Sequence, residues 1–217
     1  MNIQVLDCTL RDGGYVNNWE FSHGQICKIT KSLNQSNVDI IELGYLNDKK
    51  GVNLNSTLFD SLESIDVAIG ELDLTAQLVI MIDLFAVDVD KLPYKSKTRV
   101  DGIRLAFHQK DTNEAVLAAK KIIALGYKLF FQPMVTKNYD NNEFTTLIKK
   151  ANSLHVYAFY VVDSFGSMTL DEFQKYINLA DINLDEGIKL GYHSHNNMQL
   201  AFSNAIDLCT SSIDREV

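Results

Sequence analysis

Two histidines one residue apart, His193 and His195, close a short β-rich run, Ile188–His193. Residues i and i+2 of a strand point to one face, so both imidazoles can reach one ion. A carboxylate from another strand end would complete a two-histidine, one-carboxylate set that keeps positions open for water and substrate. Asp12 is the natural third ligand; it follows the first β-rich run, beside Arg11 and ahead of Gly13-Gly14-Tyr15. Other polar residues stand where the remaining β-rich runs end: Asp7 and Thr9, Glu42, Asp83, Arg104 and His108, Gln132, Asp163-Ser164, and Asn196-Asn197.

Seven runs are strand candidates: Ile3–Cys8, Val38–Leu43, Ala76–Ile82, Gly102–Phe107, Lys128–Gln132, Tyr157–Val162 and Ile188–His193. Their near-continuous hydrophobicity suits parallel strands covered on both faces. Helical periodicity fills the intervals Ser22–Asn34, Thr57–Ile69, Thr112–Leu125, Asn142–Leu154, Thr169–Leu179 and Asn197–Cys209. Thr112 ahead of Glu114 and Thr169 ahead of Asp171 and Glu172 are N-terminal signals, and Gly126 is a C-terminal one. The acidic stretch Asp181–Glu186 reads as a solvated loop.

This βα alternation implies a parallel α/β fold with right-handed crossovers. Polar residues after almost every strand, and no GxGxxG after the first, favour a (β/α)8 TIM barrel over a doubly wound sheet. In a barrel these side chains converge on one mouth. Seven units in 217 residues, against ~250 for a full barrel, give the expectation of a single catalytic domain, 1–217, that stops short of its eighth βα unit.

The composition narrows the function. Twenty basic against 28 acidic residues give a net charge of −8 with no basic cluster, which excludes nucleic acid as a partner. No apolar run reaches the roughly 18–20 residues of a membrane span, and the first residues carry no secretory signature. Cys8, Cys27 and Cys209 are scattered and form no CxxC pair, which fits a reduced, cytoplasmic protein.

Leu6-Asp7-Cys8-Thr9-Leu10-Arg11-Asp12-Gly13-Gly14 resembles the D-x-T-L-R-D-G signature of the metal-dependent aldolase and lyase superfamily. That superfamily includes 4-hydroxy-2-oxovalerate aldolase, 3-hydroxy-3-methylglutaryl-CoA lyase and the isopropylmalate and homocitrate synthases. Gly191-Tyr192-His193-Ser194-His195-Asn196-Asn197 is similar to its G-x-H-x-H-N/D-N signature, and Asp163–Thr169 to its D-S/T-x-G-x-M segment.

The resemblance implies a divalent ion held by Asp12, His193 and His195, with Mn2+ or Mg2+ the leading candidates and Zn2+ or Co2+ behind them. It implies a 2-oxo acid substrate chelated through its carbonyl and carboxylate oxygens, with Arg11 stabilising the enolate oxygen. Charge developing on a carbonyl oxygen as a C–C bond breaks is offset by a Lewis acid and a guanidinium. The aldolases carry a histidine where this chain has Tyr15. The base is therefore open between Tyr15, metal-bound water, His108 and Glu42. Glu42 is alternatively buried scaffolding, as is Asp83. His108 is also a candidate substrate contact, and Ser164 either meets the substrate carboxylate or is a turn serine. Asp7 braces Arg11 or caps a turn, Asp163 supports the ligands from behind, and Asn197 caps the last helix or orients a ligand. Partners implied are a second copy of the chain or a dehydrogenase or other biosynthetic enzyme. Two alternatives stand beside the lyase: an acyl-CoA-dependent Claisen-condensing synthase and a non-catalytic metal- or metabolite-binding barrel.

Overall fold

The computed structural model describes residues 3–49, 51, 53–211, 213 and 215–217. The strands are β1 (Leu6–Asp7), β2 (Ile40–Leu46), β3 (Leu58–Phe59), β4 (Gln77–Asp83), β5 (Gly102–Phe107), β6 (Lys128–Pro133), β7 (Ala158–Asp163) and β8 (Lys189–Ser194). The helices are α1 (Thr9–Asp12), α2 (Gly14–Asn17), α3 (His23–Gln35), α4 (Leu62–Ile69), α5 (Thr112–Ala124), α6 (Asn141–Leu154), α7 (Leu170–Asn183) and α8 (Ala201–Thr210). The strand order is β1-β2-β4-β5-β6-β7-β8, with β3 paired to β2. This is an α/β fold of the TIM-barrel type. No helix among the described residues is long and apolar enough to cross a membrane.

The chain forms two compact units, Gln4–Leu105 with Lys121–Lys128, and Ala106–Lys120 with Leu129–Val217. In the first, β2 pairs in parallel with β1 (Leu6↔Ile40) and with β4 (Ile41↔Leu78). Its core is aliphatic, built on Leu10, Ile41, Leu43, Ile65, Val79 and Ile103. In the second, β7 pairs in parallel with β6 (Phe130↔Ala158) and with β8 (Val162↔His193). Its core is aromatic: Phe107 packs on Phe131 at 4.5 Å, and Phe144 on Phe159 at 5.6 Å between centroids. Every residue of β5 and β7 is buried, as strands covered on both faces require.

The differences from the sequence reading lie in the loops and have local causes. Strand β1 is two residues long, because its ladder with β2 reaches only to Asp7. Part of the segment expected to be helical from Thr57 onward is β3 instead. There the Thr57 hydroxyl donates to the Leu10 carbonyl, Tyr45 pairs with Leu58, and α4 starts only after its cap Ser61. Helix α8 begins at Ala201 rather than Asn197; the Asn196 side chain accepts the Ala201 N–H, so Asn196 makes the bond expected of Asn197. Asp181, expected in a loop, lies inside α7, where its carboxylate faces Arg215 at 3.3 Å.

Candidate active site

The first unit builds a buried charge cluster at the end of β1. The Asp7 carboxylate accepts the backbone N–H (2.9 Å) and hydroxyl (3.1 Å) of Thr9 and so opens the α1 turn. The Asp12 N–H then bonds back to the Cys8 carbonyl at 2.7 Å. This tight turn buries Arg11 and leaves the neighbouring Asp12 side chain 22% exposed. Arg11 spans two carboxylates: Nη1 donates to Asp12 Oδ1 at 2.6 Å, and Nε to Glu42 Oε2 at 2.8 Å. Glu42, on β2, and Arg104, on β5, are both wholly buried, and Arg104 Nη1 lies 2.6 Å from the same Oε2.

Two guanidiniums and two carboxylates therefore balance in a space where no single charge would be tolerated. Burial opposes the charge on Arg11, but Glu42, and then Asp12, hold its pKa above the ordinary arginine value. Burial, followed by the Glu42 charge, pushes the Cys8 thiol up to about 11.

An aromatic group backs this turn. Trp19 (φ 57°) follows Asn18 (φ 55°), two left-handed residues in a row, and their turn folds the indole onto Gly14. A Cβ on Gly14 would sit 2.0 Å from Trp19 Cδ1, so only glycine fits there. The indole N–H donates to the Arg11 carbonyl at 2.6 Å. The Tyr15 and Tyr45 hydroxyls are 2.9 Å apart, and the Arg11 guanidinium lies 5.7 Å from the Tyr45 ring centroid. Burial and then the Asp83 charge raise the Tyr45 pKa, so its phenol stays protonated.

The second unit builds the histidine pair. His193 is on β8 and His195 just beyond it, with ring centroids 5.2 Å apart. The Asp163 carbonyl, at the end of β7, accepts the His195 backbone N–H at 3.2 Å and stands 3.1 Å from His195 Nδ1. Nδ1 donates in that contact, because a carbonyl can only accept. The tautomer is thereby set, and Nε2 is the nitrogen that can bind a metal ion, the usual arrangement of a metal-binding histidine. Asp163 holds its own loop as well: its two carboxylate oxygens accept the Ser167 and Met168 N–H groups. Gly166, at φ +59°, closes that loop, and a Cβ there would meet Asn197 N at 2.5 Å and His195 O at 2.6 Å. Two imidazoles two residues apart, one with a locked tautomer, give the second unit a pair of neutral nitrogen donors of the kind a divalent ion accepts.

The other expected site residues lie as follows. The Ser164 hydroxyl accepts the N–H of Val135, a branched residue held at φ +53°. His108 is exposed and lines a cleft of about 330 Å3 with Gln109, Lys110, Met134, Val135 and Asn138. Asn197 is exposed in the turn before α8. Arg11, Asp12, Tyr15 and Glu42 gather in the first unit, whereas Asp163 and the two histidines gather in the second. Arg104, Trp19, Tyr45 and Gly166 received no role from the sequence. For Arg104 a signal existed: an arginine inside an apolar strand must find an anion when that strand is buried.

Parallel βα architecture and these strand-end side chains define the class, and comparison with known proteins defines the family. The chain belongs to the HMGL-like family, which it matches over residues 2–210. It is 24% identical over 207 residues to 4-hydroxy-2-oxovalerate aldolase of Geobacillus thermodenitrificans, covering 94% of this chain and 60% of that protein. The chain thus spans about 60% of the length of the first curated relatives it matches. Among solved structures, it is similar to the N-terminal domain of a candidate aldolase from Bacteroides vulgatus, with a TM-score of 0.81 and 26% identity. That match covers 100% of this chain and 71% of the other. The carboxyl transferase domain of Rhizobium etli pyruvate carboxylase shares the fold, with a TM-score of 0.78 at 14% identity over 99% of this chain and 39% of that one.

Proposed function

We propose that this protein is a divalent-metal-dependent carbon–carbon lyase that cleaves a 4-hydroxy-2-oxo acid into pyruvate and an aldehyde. Asp12, His193 and His195 would hold the ion, each offering one ligand atom. When bound, the ion supplies Lewis acidity toward the 2-oxo acid. The remaining steps fall to the chain's own residues. A base takes the proton from the C4 hydroxyl, the C3–C4 bond breaks, and its electron pair passes to the enolate whose oxygen Arg11 stabilises. Protonation at C3 then gives pyruvate.

The observation that carries this reading is the state of Arg11: buried, charged, and aimed by Glu42 while directly beside Asp12. A preorganised cation of this kind stabilises an oxyanion without reorganising as the reaction proceeds. Glu42 serves as the anchor of Arg11, since its Oε2 faces both guanidiniums. Of the side chains in the loops after β1 and β5, Tyr15 and His108 are the candidates for the base. The 4-hydroxy-2-oxo acid substrate and the aldolase chemistry are carried over from the named relatives as part of this proposal.

Pyruvate release from 4-hydroxy-2-oxopentanoate, coupled to NADH oxidation, tests the reading. Chelation should abolish turnover, Mn2+ or Mg2+ should restore it, and Asp12→Ala should remove it. Full activity of Asp12→Ala, or after exhaustive chelation, refutes the metal role. Loss of kcat in His108→Ala with Tyr15→Phe still active assigns the base to His108, the reverse pattern assigns it to Tyr15, and full activity in both variants excludes both side chains.

A further inference from the structure

We propose that Tyr15, backed by Trp19 and Tyr45, determines substrate specificity and selects a leaving aldehyde that carries an apolar, ring-sized group. This rests on the lyase reading and adds the substrate class to it. Tyr15 lies three residues beyond Asp12, with only the two glycines between them. Its ring is 63% exposed, yet it is not loose. The hydroxyl is tied to that of Tyr45 at 2.9 Å, and the ring stands edge-on to Trp19 at 4.7 Å and 64°. Trp19 meets Tyr45 at 5.6 Å and 72°, and Tyr15 meets Tyr45 at 6.4 Å and 87°. Three rings set on edge to one another hold Tyr15 in place at almost no further entropic cost on binding, which is the condition for an exposed aromatic to act as a recognition surface.

The strained turn at Asn18 and Trp19 points the same way. Two consecutive non-glycine residues at φ 55° and 57° persist only where the surroundings over-determine them, and such strain gathers at functional sites. Here it delivers the indole that supports Tyr15 and that bonds to the Arg11 carbonyl. The charge beside the wall settles the occupant. Aromatic rings attract cations, but the Arg11 guanidinium already lies 5.7 Å from the Tyr45 centroid. Asp12 and Glu42 balance its charge, so the wall offers neither a free cation site nor a net charge to draw an ionic group. A neutral apolar or aromatic substituent is what this wall accepts.

The test compares two substrates of the Mn2+-loaded full chain, 4-hydroxy-2-oxopentanoate (methyl) and 4-hydroxy-2-oxo-4-phenylbutanoate (phenyl). The wild type should favour the phenyl compound in kcat/KM by roughly tenfold, the scale of pocket-contact discrimination. Tyr15→Ala should bring the two compounds level, and Tyr15→Phe should keep the preference. Because the ratio is internal to each variant, a general loss of activity does not disturb it. A ratio unchanged in Tyr15→Ala, or a wild type that favours the methyl compound, overturns the specificity role and leaves the lyase standing. Pyruvate from neither compound overturns the lyase reading, and this inference with it.

Discussion

Removing the charge of Glu42 while keeping its shape is the sharpest probe of the buried cluster. In Glu42→Gln one amide oxygen replaces the carboxylate oxygen that now meets Arg11 Nε at 2.8 Å and Arg104 Nη1 at 2.6 Å. Both guanidiniums remain, 4% and 0% exposed, with one negative charge between them gone. Breaking a buried ion pair from one side costs about 3–5 kcal/mol, because the orphaned charge stays desolvated. Arg11 keeps Asp12 at 2.6 Å, and the amide still accepts a hydrogen bond, so about 3 kcal/mol is the reasonable figure. At 2–4 °C per kcal/mol for a domain of this size, the melting temperature should fall by about 6–12 °C. Calorimetry measures it directly. Mn2+ affinity by titration calorimetry should stay within a few-fold, since Glu42 is not a ligand, while kcat drops roughly a hundredfold as Arg11 loses its aim. A melting temperature within about a degree of wild type, or a collapse of Mn2+ binding with kcat preserved, refutes the view of Glu42 as an anchor.

Gly166→Ala should weaken Mn2+ binding roughly tenfold with a smaller change in melting temperature. The new Cβ presses on His195 O and Asn197 N at a left-handed φ, and it displaces the ligand loop rather than the core. Unchanged affinity in titration calorimetry would show that this loop does not position His195. The Cys8 thiol, pushed up to about 11 by burial and then by Glu42, should resist iodoacetamide at pH 8 and show an alkylation midpoint near 11. Its raised pKa means that its contribution to stability is complete below the ordinary thiol range and is lost as pH climbs through 11. A midpoint near 8.5, the ordinary thiol value, contradicts the burial on which this rests.

Much of the fold was legible because burial on two faces writes itself into composition. Strand β5 lies where its apolar run places it, at Gly102–Phe107, and β6, β7 and β8 differ from their runs by a residue or so. The first strand was overextended, because Ile3 and Val5 are apolar yet 41% and 57% exposed, outside the ladder. Helices α1 and α2 were missed, since four residues are too short to display a 3.6-residue period. Helix α8 was started early, because an Asn-Asn pair reads as a cap and only the loop path decides which asparagine reaches the Ala201 N–H.

The candidate site divides along the same line. Residue types and strand-end positions alone nominated Arg11, Asp12, Glu42, His193 and His195. These depend on the two-residue period of a strand and on the parallel order of the units, both of which are local properties. That Glu42 is shared by Arg11 and Arg104, that the Asp163 carbonyl sets the His195 tautomer, and that Trp19 folds onto Gly14 depend on register and on loop paths. Those are fixed only when segments distant in sequence pack together. A charge can be read from one letter, but its partner is chosen by the geometry that brings another strand to within hydrogen-bonding distance.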